Sequence, residues 1–306
     1  MTTDRRGFLR GVALAAGAGL LARPGLALAA SDAASSKPGS STPASSKPAS
    51  SKPASPHLGP SQPVSCTIVA DAASGKVLVR QGPCDHRFSP CSTFKLPLAV
   101  MGYDSGILED AHHPLWKYQP HFNAGIQRHR QDTDPTIWLK ESVVWYSQEL
   151  TRKLGEERFK SYVTAFGYGN EDISGNPGKK DGLTHAWLTS SLQISPDEQI
   201  AFLQRFLDRK LGVSSRAYAM TEAIMPQFSA EGGWTVMGKT GSGWRQHASG
   251  APDKDQPLGW FVGWAEKASR RLVFARLESK HGMKVMQAGS STRESLLKDL
   301  ATLAGK

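Results

Sequence analysis

Long apolar runs are missing from this 306-residue chain. The stretch from Gly11 to Ala22 would rise only about 18 Å as a helix, well short of a bilayer core of about 30 Å, and Arg23-Pro24 ends it. Stable membrane insertion is therefore not expected. Cysteine is scarce, with three residues and no Cys-x-x-Cys pair, and the nine histidines form no His-Glu-x-x-His, so the usual zinc spacings are absent and no metal site is expected. Runs of basic residues are short as well. The net charge is +10, but half of it lies in residues 1–60, where seven Lys and Arg meet only Asp4 and Asp32, and beyond them no Lys/Arg run exceeds two. A nucleic-acid partner is not expected from that pattern.

What is present at the N-terminus has the order of an export signal: Arg5, Arg6 and Arg10, then the apolar stretch, then Ala27-Leu28-Ala29. The run Arg5-Arg6-Gly7-Phe8-Leu9 resembles a twin-arginine signal, with general secretory export as the alternative, and both place the mature protein in the periplasm. Residues 1–30 are assigned to this signal. Residues 31–63 repeat Ala-Ser-Ser-Lys-Pro three times, hold seven of the 19 prolines and contain no aromatic side chain. Such a segment cannot bury enough apolar surface to offset its ordering entropy, which makes it a solvated tether dispensable to catalysis. The remaining residues, 64–306, are enough for one catalytic domain.

An exported chain with three cysteines invites a disulfide. A strand from Cys66 to Ala70, a turn over Asp71 to Gly75 and a returning strand from Lys76 to Arg80 bring Cys84 toward Cys66. That pairing is favoured over the two others and leaves Cys91 as a free thiol. Helix signals follow: Ser195-Pro196-Asp197-Glu198 combines a cap, a first-position proline and a third-position Glu, opening a helix to about Lys210. Segments from Glu149 to Lys153 and from Glu156 to Phe166 read as helices parted at Gly155, and Ser291 opens a helix through Leu303. Strands are expected at Trp234 to Met237, Leu258 to Ala265 and Leu272 to Leu277. Strands at both ends around a helical middle give an α/β (α+β) class: one antiparallel sheet from the N-terminal hairpin and C-terminal strands, flanked by helices.

Five short segments carry chemistry. Ser92-Thr93-Phe94-Lys95 sets a hydroxyl and an amine three residues apart, which share a face on a helix. That is the spacing an activated serine needs, although a capping Ser beside an exposed Lys would look the same. Lys239-Thr240-Gly241 follows the strand at Trp234, where a glycine would let a substrate lie along the strand edge. Between them stand Ser142-Val143-Val144, Tyr168-Gly169-Asn170 and Trp187-Leu188; the tripeptide Ser-Asp-Asn is absent. The five segments in this order resemble the class D (oxacillinase-type) serine β-lactamases, and the resemblance runs from about Cys66 to the C-terminus. Cys91, where those enzymes have a small residue before the nucleophile, departs from the pattern.

The resemblance implies a β-lactamase/transpeptidase-like fold and hydrolysis of penicillin-type β-lactams, with resistance as its consequence. Ser92 would be the nucleophile. The backbone N–H groups of Ser92 and Ser242 would form the oxyanion hole, with Lys239 and Ser142 handling charge and protons. Thr240, Gly241 and Arg293 would bind substrate, Arg293 being also readable as an ordinary surface arginine. The resemblance further implies that Lys95 carries CO₂ as an N-carbamate and serves as general base. Trp187, if not merely a core aromatic, would donate its indole N–H to that group. An unmodified lysine is protonated at neutral pH, so the chemistry requires burial to depress its pKa; Phe94, Val143, Val144, Trp187 and Leu188 are the apolar residues expected around it. The partner is a small-molecule β-lactam, no other cofactor is implied, and no sequence feature sets an oligomeric state. Two other classes share Ser92, Lys95 and Lys239. A D,D-peptidase is disfavoured by the Ser-Val-Val segment and by the lack of a second large domain. A β-lactam sensor is disfavoured by the lack of a membrane transducer.

Overall fold

The computed structural model describes residues 62–305. The export signal and nearly all of the tether lie outside the described residues. At the first hairpin, β1 (Val64–Asp71) and β2 (Val77–Gln81) pair antiparallel, and the Asp71 carboxylate accepts bonds from the Ser74 N–H and hydroxyl at 2.8 and 2.6 Å. Cys84 then returns to Cys66 as a disulfide with a Cα–Cα distance of 5.3 Å, and Cys91 is free and buried, both as the hairpin spacing predicts.

A turn of 3-10 helix, Cys91–Phe94, runs directly into α1 (Lys95–Asp104). The helical middle continues with α2 (Pro135–Glu141), whose first-position proline and Asp134 cap fix its start, and α3 (Val144–Leu154). Gly155, at φ +75°, parts α3 from α4 (Glu156–Ala165) as expected. After the short α5 (Gly182–His185), α6 (Pro196–Leu207) opens with both halves of the capping box formed between Ser195 and Glu198. Next come α7 (Ser215–Ala223), the strands β3 (Gln227–Ala230), β4 (Trp234–Gln246), β5 (Pro252–Lys267) and β6 (Arg270–Ser279), and finally α8 (Val285–Leu303).

One six-stranded antiparallel sheet has the order β2-β1-β6-β5-β4-β3. Its central strands are buried on both faces, with alternate residues serving different cores. Trp260, Val262 and Trp264 of β5 face the helical middle, while Phe261 and Ala265 join Leu296 and Leu300 of α8.

Three of the boundaries that differ from the sequence reading do so because packing overrides local propensity. β4 does not stop at Met237; it carries Lys239-Thr240-Gly241 inside the strand, where Lys239 pairs with Val262 and Gly241 with Trp260. α3 starts at Val144 because Trp145 and Tyr146 are buried there despite modest helix propensity. α8 starts at Val285, six residues before Ser291, and runs through Gly289, a poor helix former. A Cβ on Gly289 would lie 2.7 Å from the Gly241 carbonyl oxygen, so its lack of a side chain lets α8 settle on β4.

The disulfide closes an 18-residue separation and should stabilise chiefly by restricting the unfolded chain. Replacing Cys66 and Cys84 together by Ala is expected to lower the unfolding free energy by about 2–4 kcal/mol in urea titrations. A change below ~0.5 kcal/mol would show that the hairpin and α6 hold this corner without it.

Candidate active site

The 3-10 turn and α1 bring Ser92 and Lys95 onto one face, with Lys95 Nζ donating to Ser92 Oγ at 3.2 Å. Lys95 is fully buried and Ser92 only partly so. Burial drives the Lys95 pKa well below the ordinary lysine value; the nearby charge of Lys239 adds to the shift and Cys91 opposes it in part. Such a lysine is poised to be neutral. The exposed Lys of a simple helix cap is thereby excluded at this position.

A second serine–lysine pair faces the first. Ser142 caps the C-terminus of α2 in the left-handed conformation, φ +61°, and its hydroxyl accepts from Lys239 Nζ at 3.0 Å. Lys239 also donates to the Thr240 carbonyl at 3.1 Å and is 2% exposed. Burial, with Arg293 as the next contributor, pushes its pKa down to about 7.

Ser92 and Ser142 open into a cleft of about 510 Å³ also lined by Thr240, Ser242 and Arg293. Arg293 reaches it from α8 with its guanidinium 4.8 Å from the Phe228 ring centroid, so it is a cleft residue and not a free surface arginine. Ser242 accepts from the Gly289 N–H at 2.9 Å, which fixes this part of β4 against α8. Gly241 has a packing reason in addition to the substrate access the sequence suggests. A Cβ there would meet the Pro90 carbonyl oxygen at 2.9 Å and the Thr93 methyl at 3.1 Å, so the glycine admits the turn that carries Ser92 against β4.

Trp187 is fully buried and stacks on Phe94 with ring centroids 5.4 Å apart. Its Nε1 is buried without a hydrogen-bond partner, a cost of about 1–3 kcal/mol if left so. Val143 is buried, whereas Val144 and Leu188 are half-buried. The Tyr168-Gly169-Asn170 segment is a brace. Gly169, at φ +62°, lies where a Cβ would sit 1.9 Å from the Gln193 carbonyl oxygen, and Asn170 bonds Gln193 and Ser191. Tyr168 OH and Thr93 Oγ1 both accept from Gln199 Nε2 at 3.2 Å, which ties this loop to the turn that carries Ser92.

Other residues shape the site without a signal in the sequence. Ser89 Oγ donates to the Trp187 carbonyl and accepts from the Thr189 N–H, both at 2.8 Å, while its own carbonyl accepts from Trp260 Nε1 at 3.0 Å. Cys91, at φ +50°, packs its sulfur against Ser89. Burial pushes that thiol's pKa up, so it is held as a neutral thiol beside Ser92 in the chain. His129, Lys140, Glu141, Trp244 and Met286 also line the cleft. Among the described residues no group of three or more His, Cys, Asp or Glu could hold a metal ion, and no helix is long and apolar enough to cross a membrane.

The family model "Penicillin binding protein transpeptidase domain" matches residues 65–302. The β-lactamase OXA-9 of Klebsiella pneumoniae is 50% identical over 243 residues, covering 79% of this chain and 89% of that protein. The β-lactamase OXA-1 of Escherichia coli is 34% identical, covering 68% and 74%. Among solved structures, the OXA-427 class D β-lactamase superposes with a TM-score of 0.73 at 43% identity, covering 79% of this chain and 98% of that one.

The buried lysines set a pH dependence of stability. Lys239 loses its proton near pH 7 when folded but near 10.5 when unfolded, and Lys95 shifts in the same direction. Above pH 7 the unfolded chain therefore binds more protons, and stability rises with pH. Cys91, raised on folding, opposes this as pH approaches its ordinary value, so the window is about pH 7 to 8.5. In CO₂-free buffer the urea midpoint is expected to rise across that window, and less steeply in Lys239→Met. A falling midpoint in the unsubstituted protein would contradict neutral buried lysines.

Proposed function

The chain belongs to the class D serine β-lactamases and hydrolyses β-lactams, and we propose that it does so through an acyl-enzyme on Ser92, with Lys95 carried as its N-carbamate. The observations that carry this reading are a fully buried lysine, bonded to Ser92 at 3.2 Å, and the unpartnered indole N–H of Trp187, which stacks on Phe94, the residue next to Lys95 in the chain. The residues present fit the modification. Carbamate formation needs a neutral amine, which burial supplies, and the added oxygens need a donor, which Trp187 holds unused. When formed, the carbamate supplies an anionic base at neutral pH; the carboxylate that lines the cleft, Glu141, is paired with Arg128 at 3.5 Å.

The chain's own residues account for the rest. Ser92 Oγ attacks the lactam carbonyl carbon, and the backbone N–H groups of Ser92 and Ser242 receive the developing oxyanion. As the C–N bond breaks, the ring nitrogen needs a proton. Ser142 delivers it, resupplied through the 3.0 Å bond from Lys239, whose pKa of about 7 suits transfer in either direction. Thr240 and Arg293 hold the substrate carboxylate at the other end of the cleft, with Gly241 keeping β4 close to the nucleophile turn. Water then attacks the ester in the same oxyanion site and frees Ser92. Export to the periplasm would set this activity between incoming β-lactams and their targets, conferring resistance.

Ser92→Ala should abolish turnover and yield no penicilloyl mass gain on incubation with penicillin. An adduct formed elsewhere in the chain, together with turnover, would overturn the nucleophile assignment.

The carbamate has its own test. Samples charged with ¹³C-labelled CO₂ should show a carbamate resonance that Trp187→Ala weakens, and bicarbonate should restore activity lost in CO₂-depleted acidic buffer. Indifference to bicarbonate with no such resonance would require neutral Lys95 to act directly.

A further inference from the structure

Ser142 must present its hydroxyl to Lys239 from a left-handed backbone that β-carbon sterics disfavour. Such a conformation persists only where its surroundings hold both sides of the residue. Inside the helix, the Ser142 N–H is bonded to the Trp138 carbonyl. The preceding carbonyl, that of Glu141, lies past the last turn of α2 and has to find a donor elsewhere. That donor is the His129 side chain: Nε2 is 2.9 Å from the Glu141 oxygen, across twelve residues of chain.

His129 is itself anchored. It ends the 3-10 turn Gln127–His129, is buried, and its own carbonyl accepts from Trp145 Nε1 at 2.8 Å. Trp145 belongs to α3, which begins two residues after Ser142, so the chain is gripped before and after the serine. The Arg128–Glu141 ion pair at 3.5 Å joins the same two segments. Burial, with smaller contributions from Arg128 and Lys95, pushes the imidazole pKa below its ordinary value, while the bond to Glu141 opposes the shift. The ring is thus neutral at pH 7, and because a carbonyl only accepts, its hydrogen sits on Nε2.

We propose that His129 is a positioning residue for catalysis, holding the Glu141–Ser142 peptide so that the Ser142 hydroxyl stays aligned between Lys239 and the departing ring nitrogen. The inference rests on the serine acyl-enzyme reading given above. It assigns His129 no contact with the reacting atoms.

Two polar variants separate the bond from the fold. Glutamine carries its amide nitrogen as far from the backbone as His Nε2, whereas asparagine stops short and cannot reach the Glu141 oxygen. With a chromogenic penicillin in stopped-flow single turnovers, His129→Asn should slow acylation of Ser92 by about tenfold or more with KM changed less than about threefold. His129→Gln should stay within about threefold of the unsubstituted rate. A slow His129→Gln or a fast His129→Asn overturns the proposal. If His129→Asn does not fold, His129→Gln still decides, and ¹⁵N NMR of the unsubstituted protein adds a second test, since an Nδ1–H tautomer would exclude the bond. Mass gain on Ser92 is scored in the same runs. A failure of the serine chemistry then appears in the unsubstituted protein, and a failure of the positioning role appears only in the variants.

Discussion

Two lysine amines buried without a carboxylate partner are the constraint on which the rest of this structure depends. Lys95 bonds the Ser92 hydroxyl, and Lys239 bonds the Ser142 hydroxyl and a backbone carbonyl. A charged ammonium in such surroundings is costly, and the usual relief is loss of the proton. An ion pair would have been the simpler way to bury either side chain, but it would have locked both amines in the protonated form. Stability is given up here so that amines can act near neutral pH, and the surrounding fold has to be firm enough to hold them.

That firmness comes from close backbone approach. The turn that carries Ser92 rests on β4 at Gly241, α8 rests on β4 at Gly289 and on β5 at Gly259, and each contact lies at a distance that no side chain would permit. Layers of aromatic rings back the turn from the other side: Phe94 packs on Trp187, Phe159 and Tyr168, and Phe159 also meets Trp187. Ser89 and Gln199 stitch these layers with buried hydrogen bonds. The lysines are therefore held by elements from both ends of the sequence, which explains why the sheet must pair its N-terminal hairpin with its C-terminal strands before the site exists.

Much of this was legible in the sequence where the signal is local. The capping box of α6, the Gly155 break and the first hairpin are chemical statements made within four or five residues, and the structure shows them as expected. The ordered Ser, Lys, Trp and Gly segments likewise identified residues that converge on one cleft and the wall behind it. Hidden was everything that depends on contact between distant segments. β4 runs through its glycines because β5 pairs with them, and α8 starts early because β4 receives Gly289. Ser89 and His129 look like ordinary loop residues until the fold puts a carbonyl 98 residues away against one and the end of α2 against the other. No periodicity or motif encodes such a meeting.

The packing around Cys91, next to Ser92 in the chain, also limits which evolutionary routes are open to this enzyme. A methyl group at Gly243 would lie 2.5 Å from the Cys91 sulfur and 2.8 Å from the Thr189 hydroxyl, so these three positions form a set in which one change prejudices the others. Selection for a reshaped cleft at this end of β4 would meet a barrier at Gly243 unless position 91 had first become smaller. A replacement of Cys91 that looks neutral when it arises could thus act as a permissive step, and the order in which mutations are acquired would decide which new substrate ranges are reachable.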